Sequence, residues 1–251
     1  MNKPDKTDAT ASNVGQHAPR RTAVALAASR LVSTRALTRL ASVLGLALLF
    51  DPLAWAQTAA PVLPVRSASG LLNGVQAPVT NGSVMSITQT NQRAIIDWQS
   101  FNIGLGSTVN VAQPGATSVL VNRVVSGSVS AGPSTINGSL QANGRIFILD
   151  PNGVVLGSTA QVNVGGLLAA AMTMSSSDAD FVNGVGLTLA RDTTKQGSVR
   201  VDSGAVIAGP SGNVEVPTGD VVLLGSTSVE FNGRINATNV FIGAGGVAQI
   251  P

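Results

Sequence analysis

The last third of the sequence repeats itself, and the repeat narrows the folds open to it. Gly197-Ser198-Val199-Arg200-Val201-Asp202-Ser203-Gly204-Ala205-Val206-Ile207 recurs as Gly212-Asn213-Val214-Glu215-Val216-Pro217-Thr218-Gly219-Asp220-Val221-Val222. A decayed third copy starts at Thr227 and carries Val229 and Phe231, with Gly233 one residue early. Apolar positions thus recur at Val199, Val214 and Val229, and at Val201, Val216 and Phe231. Period-two alternation puts both valines of a unit on one face and Arg200, Glu215 and Glu230 on the other. A solenoid of stacked strands needs that pattern, because each rung buries its apolar face only against its neighbours. A sandwich of hairpins alternates in the same way; a near-identical repeat with the same buried face favours stacking. Fifteen residues is short for a three-sided coil, so the repeat does not place coil boundaries.

The segment 141–166, QANGRIFILDPNGVVLGSTAQVNVGG, adds a turn that can be read residue by residue. Asp150, Pro151, Asn152 and Gly153 occupy the four positions of a type I turn with the side chains that turn prefers. Asp caps its own backbone, Pro fixes φ near about −65°, and Gly frees the exit. Residues 145–149 and 154–156 on either side read as buried strands paired through the turn, and residues 161–164 alternate polar and apolar. Helical periodicity is confined to a candidate turn in residues 166–174.

Val, Ser, Thr, Asn and Gly dominate from residue 65 onward, as many short strands joined by tight turns require. The chain has no Cys, so no disulfide framework supports it. The basic pI comes from the N-terminus. Lys3, Lys6, Arg20, Arg21, Arg30, Arg35 and Arg39 precede residue 57, leaving eight basic and nine acidic side chains for the rest. A nucleic-acid binder needs a basic stripe on its folded part, and this composition supplies none.

Residues 1–56 read as an export signal with an extended basic n-region and an apolar run over residues 40–50. Asp51 and Pro52 break the run, and Ala54 and Ala56 present small side chains to a signal peptidase, with Gln57 next. Eleven helical residues span about 16 Å, roughly half a bilayer's hydrocarbon thickness, which argues against an anchor. Cleavage is expected to leave a mature N-terminus near Gln57. Mass spectrometry of exported protein checks this, and an intact Met1 contradicts it. Residues 57–69, rich in Pro and Ala, form a lead segment, and a domain follows over 70–251.

Several motifs, in order and at matching separations, carry a family likeness. They are Phe101-Asn102-Ile103-Gly104, Asn122-Arg123-Val124, Gln141-Ala142-Asn143-Gly144, Asp150-Pro151-Asn152-Gly153-Val154 and Gln161-Val162-Asn163-Val164-Gly165-Gly166. Over residues 70–250 the chain resembles the N-terminal secretion domain, or haemagglutination-activity domain, of filamentous haemagglutinin-type exoproteins of two-partner secretion. It departs in carrying Asp150 where the family usually has Asn, and Gln113-Pro114-Gly115 where some members have a second Asn-Pro turn.

The resemblance implies an all-β right-handed parallel β-helix with short extra-helical strands. It implies delivery to the periplasm by the general export machinery, then recognition by the periplasmic partner-binding domains of a dedicated outer-membrane transporter. The destination is the cell surface or medium, ahead of an adhesin, haemagglutinin, haemolysin or toxin-delivery activity, with host-cell or bacterial surface receptors as further partners. Asn122, Arg123, Asp150, Pro151, Asn152, Gly153 and Val154 are the residues it singles out for transporter recognition or folding. An autotransporter passenger and a β-helix glycan-active enzyme are the alternatives.

Chemistry of other kinds has little to work with. His17 is the sole histidine and precedes the expected cleavage point, and Lys195 is the one lysine beyond it. No nucleophile with a base, zinc ligand set or cofactor motif is legible, so we expect no catalytic residue, metal or cofactor. Asp178 and Asp180 form the one acidic pair, in what reads as a solvated loop. Gly104-Leu105-Gly106 and Gly184-Val185-Gly186 read as turns. Arg123 interrupts the apolar run 119–125. It either points to solvent or makes a fixed contact, to a neighbouring rung or the secretion partner; Arg145 shares the ambiguity.

Overall fold

In the computed structural model the structure describes residues 60–125, 132–211, 218–245 and 247–250. The expected export segment and its cleavage residues Ala54, Ala56 and Gln57 lie outside them, as do Val214, Glu215 and Val216 of the repeat.

The chain winds as a parallel β-helix with three faces, visited in the order third, first, second in each coil. The first face stacks Arg93–Ser100, Val119–Val124, Arg145–Leu149, Gly166–Ala170, Thr218–Gly225 and Ala237–Ala244 in parallel. The second stacks Ser134–Ile136, Val154–Leu156, Val199–Val201 and Val229–Phe231. The third runs from Val84–Thr88 through Thr108–Ala112, Ser139–Ala142, Gln161–Asn163 and Val206–Ala208 to Arg234–Ile235. Short antiparallel strands dress the first coil: Val65–Arg66 and Leu72–Asn73 on the first face, and Val79–Asn81 on the third.

Alternation decides what fills the interior. Met85, Val109, Leu140, Val162 and Ile207 lie in one register column of the third face and are all buried. Leu120, Ile146, Leu167 and Val221 form the matching column of the first. Each such side chain contributes about 1.5–3 kcal/mol by leaving water. The parallel ladder fixes which residue covers which.

The repeat is in register, but it does not count rungs. Val199 pairs with Val229 and Val201 with Phe231, so the coil closes over two repeat lengths. Val221 and Val222, the end of the second copy, belong to the first face instead. Coil length is irregular: Val162 stacks on Leu140, 22 positions earlier, and on Ile207, 45 positions later.

An excursion explains the long coil. After Gly166–Ala170 the chain leaves the helix through Thr173–Met174, a one-and-a-half-turn helix, α1 (Asp178–Val182), and Leu187–Ala190. The candidate helical turn at 166–174 is thus two strands. Gly166–Ala170 is buried along its whole length, inside by the core and, at Leu168 and Ala170, outside by the excursion. A strand buried on both sides has a continuous apolar pattern, which periodicity cannot distinguish from a buried helix. The helix falls instead on the presumed loop, where Ser177 caps it by accepting from the Asp180 N–H at 3.0 Å.

Candidate functional site

Several of the motifs collect at the corners of the coils, where the chain turns from one face to the next, while Asn122 and Arg123 lie within the strand Val119–Val124 and Gln161–Asn163 is itself a strand. Between the first and second faces stands the turn of residues 150–153. The Gly153 N–H donates to the Asp150 carbonyl at 2.9 Å, closing the expected β-turn, and Gly153 has φ of 122°. That conformation is nearly closed to residues with a side chain. One expectation fails here. Arg145–Leu149 and Val154–Leu156 do not pair with each other; they lie on different faces, and their partners belong to the coils before and after. The turn sets a corner angle and not a hairpin register.

Asp150 is the polar centre of this corner. The residue is 1% exposed, and its carboxylate accepts four hydrogen bonds. Two come from the Ser134 N–H and hydroxyl of the preceding coil, at 2.9 and 2.7 Å. The others come from the Asn152 N–H and side-chain amide, at 2.9 and 3.0 Å. Burial pushes the carboxyl above its usual range, and the bonds from Ser134 and Asn152 offset this only in part. The folded state therefore holds this proton more tightly than the unfolded chain. Stability should fall as pH rises from the ordinary aspartate value, about 3.9, through the raised value, and stay level above it. Urea titrations across pH should show this component in the wild type and lose it in Asp150→Asn.

Beneath the turn, Val154 donates to Ser198 O at 3.0 Å, and a Cβ built on Gly153 would lie 2.7 Å from that oxygen. Pro151 and Val154 are buried and Asn152 is half-buried.

The Asn122-Arg123 pair faces two ways. Asn122 points into the helix, where it is 1% exposed and its Oδ1 accepts from Trp98 Nε1 at 3.0 Å. Arg123 points outward and is fixed. Its Nε and Nη2 donate to the Asp97 carboxylate of the preceding rung at 2.7 and 3.2 Å. Nη1 and Nη2 reach Asp178 at the start of α1, at 2.8 and 3.3 Å. Burial works against the guanidinium's charge, but the bonds to Asp97 and Asp178 prevail and hold its pKa above the ordinary value. Asp97 also accepts from the Leu71 N–H at 3.0 Å, tying in the N-terminal strands. Arg145 is exposed. Asp178 is thus half of an ion pair and Asp180 sits exposed in the first turn of α1. Among the described residues no group of three or more His, Cys, Asp or Glu could hold a metal ion.

The other motifs make corners too. Asn102 Oδ1 accepts from the Thr135 N–H at 2.8 Å, and Phe101 packs edge-on against Trp98 with ring centres 5.5 Å apart. Asn143 binds both backbone groups of Gln113, accepting at 2.7 Å and donating at 2.9 Å. Gln113 in turn donates from its side-chain amide to Gln89 at 2.8 Å, and accepts from Gly144 N at 2.9 Å. Local sequence pattern did not reveal this ladder, in which Gln89 and Gln113 are buried and Asn143 caps the exposed end. Its one signal was that amide residues stand before each first-face strand.

A three-faced parallel β-helix with hydrogen-bonded Asn, Gln and Asp corners invites comparison with known proteins. The chain belongs to the TPS secretion domain family, whose model matches residues 66–249. It is 33% identical over 182 residues to a heme/hemopexin-binding protein of Haemophilus influenzae, covering 72% of this chain and 19% of that protein. A second heme/hemopexin-binding protein from the same species is 42% identical over 90 residues, covering 36% of this chain and 9% of that protein. The chain thus spans about a fifth or less of these relatives. In fold it is similar to the HMW1 secretion domain from Haemophilus influenzae, with a TM-score of 0.59 at 22% identity, covering 74% of this chain and 46% of that one. The chain is the secretion domain of a two-partner secretion exoprotein, a class that crosses the outer membrane with a cognate transporter.

Proposed function

We propose that the transporter's periplasmic partner-binding domains read this domain as an unfolded chain, delivered to the periplasm by the general export machinery, and that it folds outside the cell. The observation that carries this is the burial of the motif. Asn122, Asp150, Pro151, Gly153 and Val154 are buried and Asn152 and Arg123 half-buried, so the folded domain offers little of them to a partner. A recognition signal made of these residues is legible only before folding. An extended chain with alternating apolar residues suits strand addition to a partner's sheet edge. Each rung that forms outside then buries surface that must be re-exposed for the chain to slip back.

Binding of the purified periplasmic domains to folded wild type and to a variant unfolded outside the motif, such as Gly204→Val, where φ is 97° and a Cβ would lie 2.5 Å from Ser158 O, tests the reading. The unfolded chain should bind at least about tenfold more tightly, about 1.4 kcal/mol. Equal or tighter binding of the folded domain would overturn it.

For the exoprotein as a whole we propose a surface ligand-capturing role. The relatives' names support a haem-related activity as much as the haemagglutinin-type adhesion implied by the motifs. Beyond residue 57 the sequence contains no His, Cys or Tyr, three of the residue types that ligate haem iron. Haem capture is accordingly proposed for parts of the exoprotein other than this domain. Titrating haem into the secreted domain should leave the Soret band unshifted, and a stoichiometric shift contradicts the assignment.

A further inference from the structure

The excursion is held at two points far apart in the sequence. Its strands belong to a three-stranded antiparallel sheet in which Leu187–Ala190 is central, between Thr173–Met174 and Val247–Ile250. The Thr173–Met174 side supplies only two register pairs, Thr173 with Ala190 and Met174 with Leu189. The other side supplies four, Leu187 to Ala190 against Ile250 to Val247. Val247 follows Ala190 by 57 residues, and the strands Val199–Val201 through Ala237–Ala244 lie between them.

Until Val247–Ile250 arrives, the excursion is a two-residue ribbon and a short helix. A two-stranded ribbon is marginal in water, whereas a third strand over an apolar face makes a stable sheet. The apolar face is present: Phe181, Leu187, Leu189 and Met172 are buried against Ile95, Val121 and Leu168 of the first face. On the other side α1 is anchored to the early coils by Arg123 on Asp178, and by the Arg93 guanidinium 5.4 Å over the Phe181 ring.

We propose that residues 173–190 and 247–250 form a clasp that closes last, and that its closure marks completion of the domain. Arg123 and Arg93 set the landing site when the first two coils form. Strand Val247–Ile250 closes it only once the sixth strand of the first face, Ala237–Ala244, has been laid down. Before that, Leu187–Ala190 has an open edge and covers the first face weakly. After it, the early coils that hold the excursion and the strand following Ala237–Ala244 are tied through the excursion. The clasp deepens the reading of folding outside the cell. Its test uses protein already secreted, so it fails or stands separately from transporter recognition.

Hydrogen exchange on the secreted full chain under increasing denaturant is the test. In wild type the amides of Leu187–Ala190 and Val247–Ile250 should open together, before those of Val199–Val201 and Val206–Ala208. In Ala248→Pro, which removes a backbone N–H from the closing strand, exchange over residues 173–190 should rise at least about tenfold while the two coil strands stay within about twofold. The proposal is overturned if residues 173–190 keep wild-type protection in Ala248→Pro, or if the wild-type strands open independently. Should the variant lose its coils as well, joint opening in the wild type still decides.

Discussion

Gly153→Val is expected to remove the folded domain from the medium and leave it in the periplasm. Two costs add at this one residue. Holding a β-branched side chain at φ of 122° strains the backbone by about 1–3 kcal/mol. A Cβ also meets Ser198 O of the next coil at 2.7 Å, and relieving that overlap costs typically about 1–3 kcal/mol more. Together these approach the whole stability of many domains. Gly82→Val is the control, since Gly82 has φ of 57° but open space around it, so it bears strain alone. Ser211 suits as a second control because it is exposed. Thr218 does not suit, because it is 1% exposed and its hydroxyl donates to Val164 O. Comparing secreted with periplasmic protein for Gly153→Val, Asn152→Ala and Gly82→Val is the measurement. Wild-type secretion of Gly153→Val and Asn152→Ala would reduce the motif to an ordinary turn.

The second large effect is expected at Arg123. Removing its charge in Arg123→Met leaves the Asp97 carboxylate, 9% exposed at its side chain, with the Leu71 N–H as that carboxylate's one partner among the described residues. Breaking a buried pair costs about 3–5 kcal/mol, and the 21% exposure of the arginine reduces this to roughly 2–4. The loss should be unequal between its partners. Asp178 is 41% exposed, so its coupling to Arg123 should stay below about 1 kcal/mol, against about 1.5–3 for Asp97. Double-mutant cycles in urea with Asp97→Asn and Asp178→Asn separate the two, and a larger coupling for Asp178 contradicts the assignment. Arg123→Met paired with Asp97→Leu should recover part of the loss, because no unpaired charge is then left inside.

Arg123 shows what a local stretch of sequence leaves undecided. An arginine in an apolar strand announces that something unusual faces it. Its partners lie 26 residues before and 55 after, on elements that come together only through the winding of the helix. Nothing local to residues 119–125 specifies them. The same holds for the buried amides of Gln89 and Gln113 and the exposed Asn143, whose bonds join successive coils.

What the sequence determined by itself is what neighbours along the chain decide. The turn at 150–153, the positive φ of Gly153 and the strands Arg145–Leu149 and Val154–Leu156 all follow from turn sterics and side-chain alternation within a few residues. The buried Val199 and Val201 and exposed Arg200 follow in the same way. The order of the motifs identified the family for the same reason, since it is a one-dimensional pattern. Only the tertiary structure decided which strand lies on which. Coil length varies with each corner and with the excursion at 173–190, so a fixed repeat cannot predict it. The turn's flanking strands therefore diverge onto two faces, and the fifteen-residue repeat spans half a coil. Rung partners are chosen by where the chain returns after a full circuit, a property of closure in space that no short window of sequence contains.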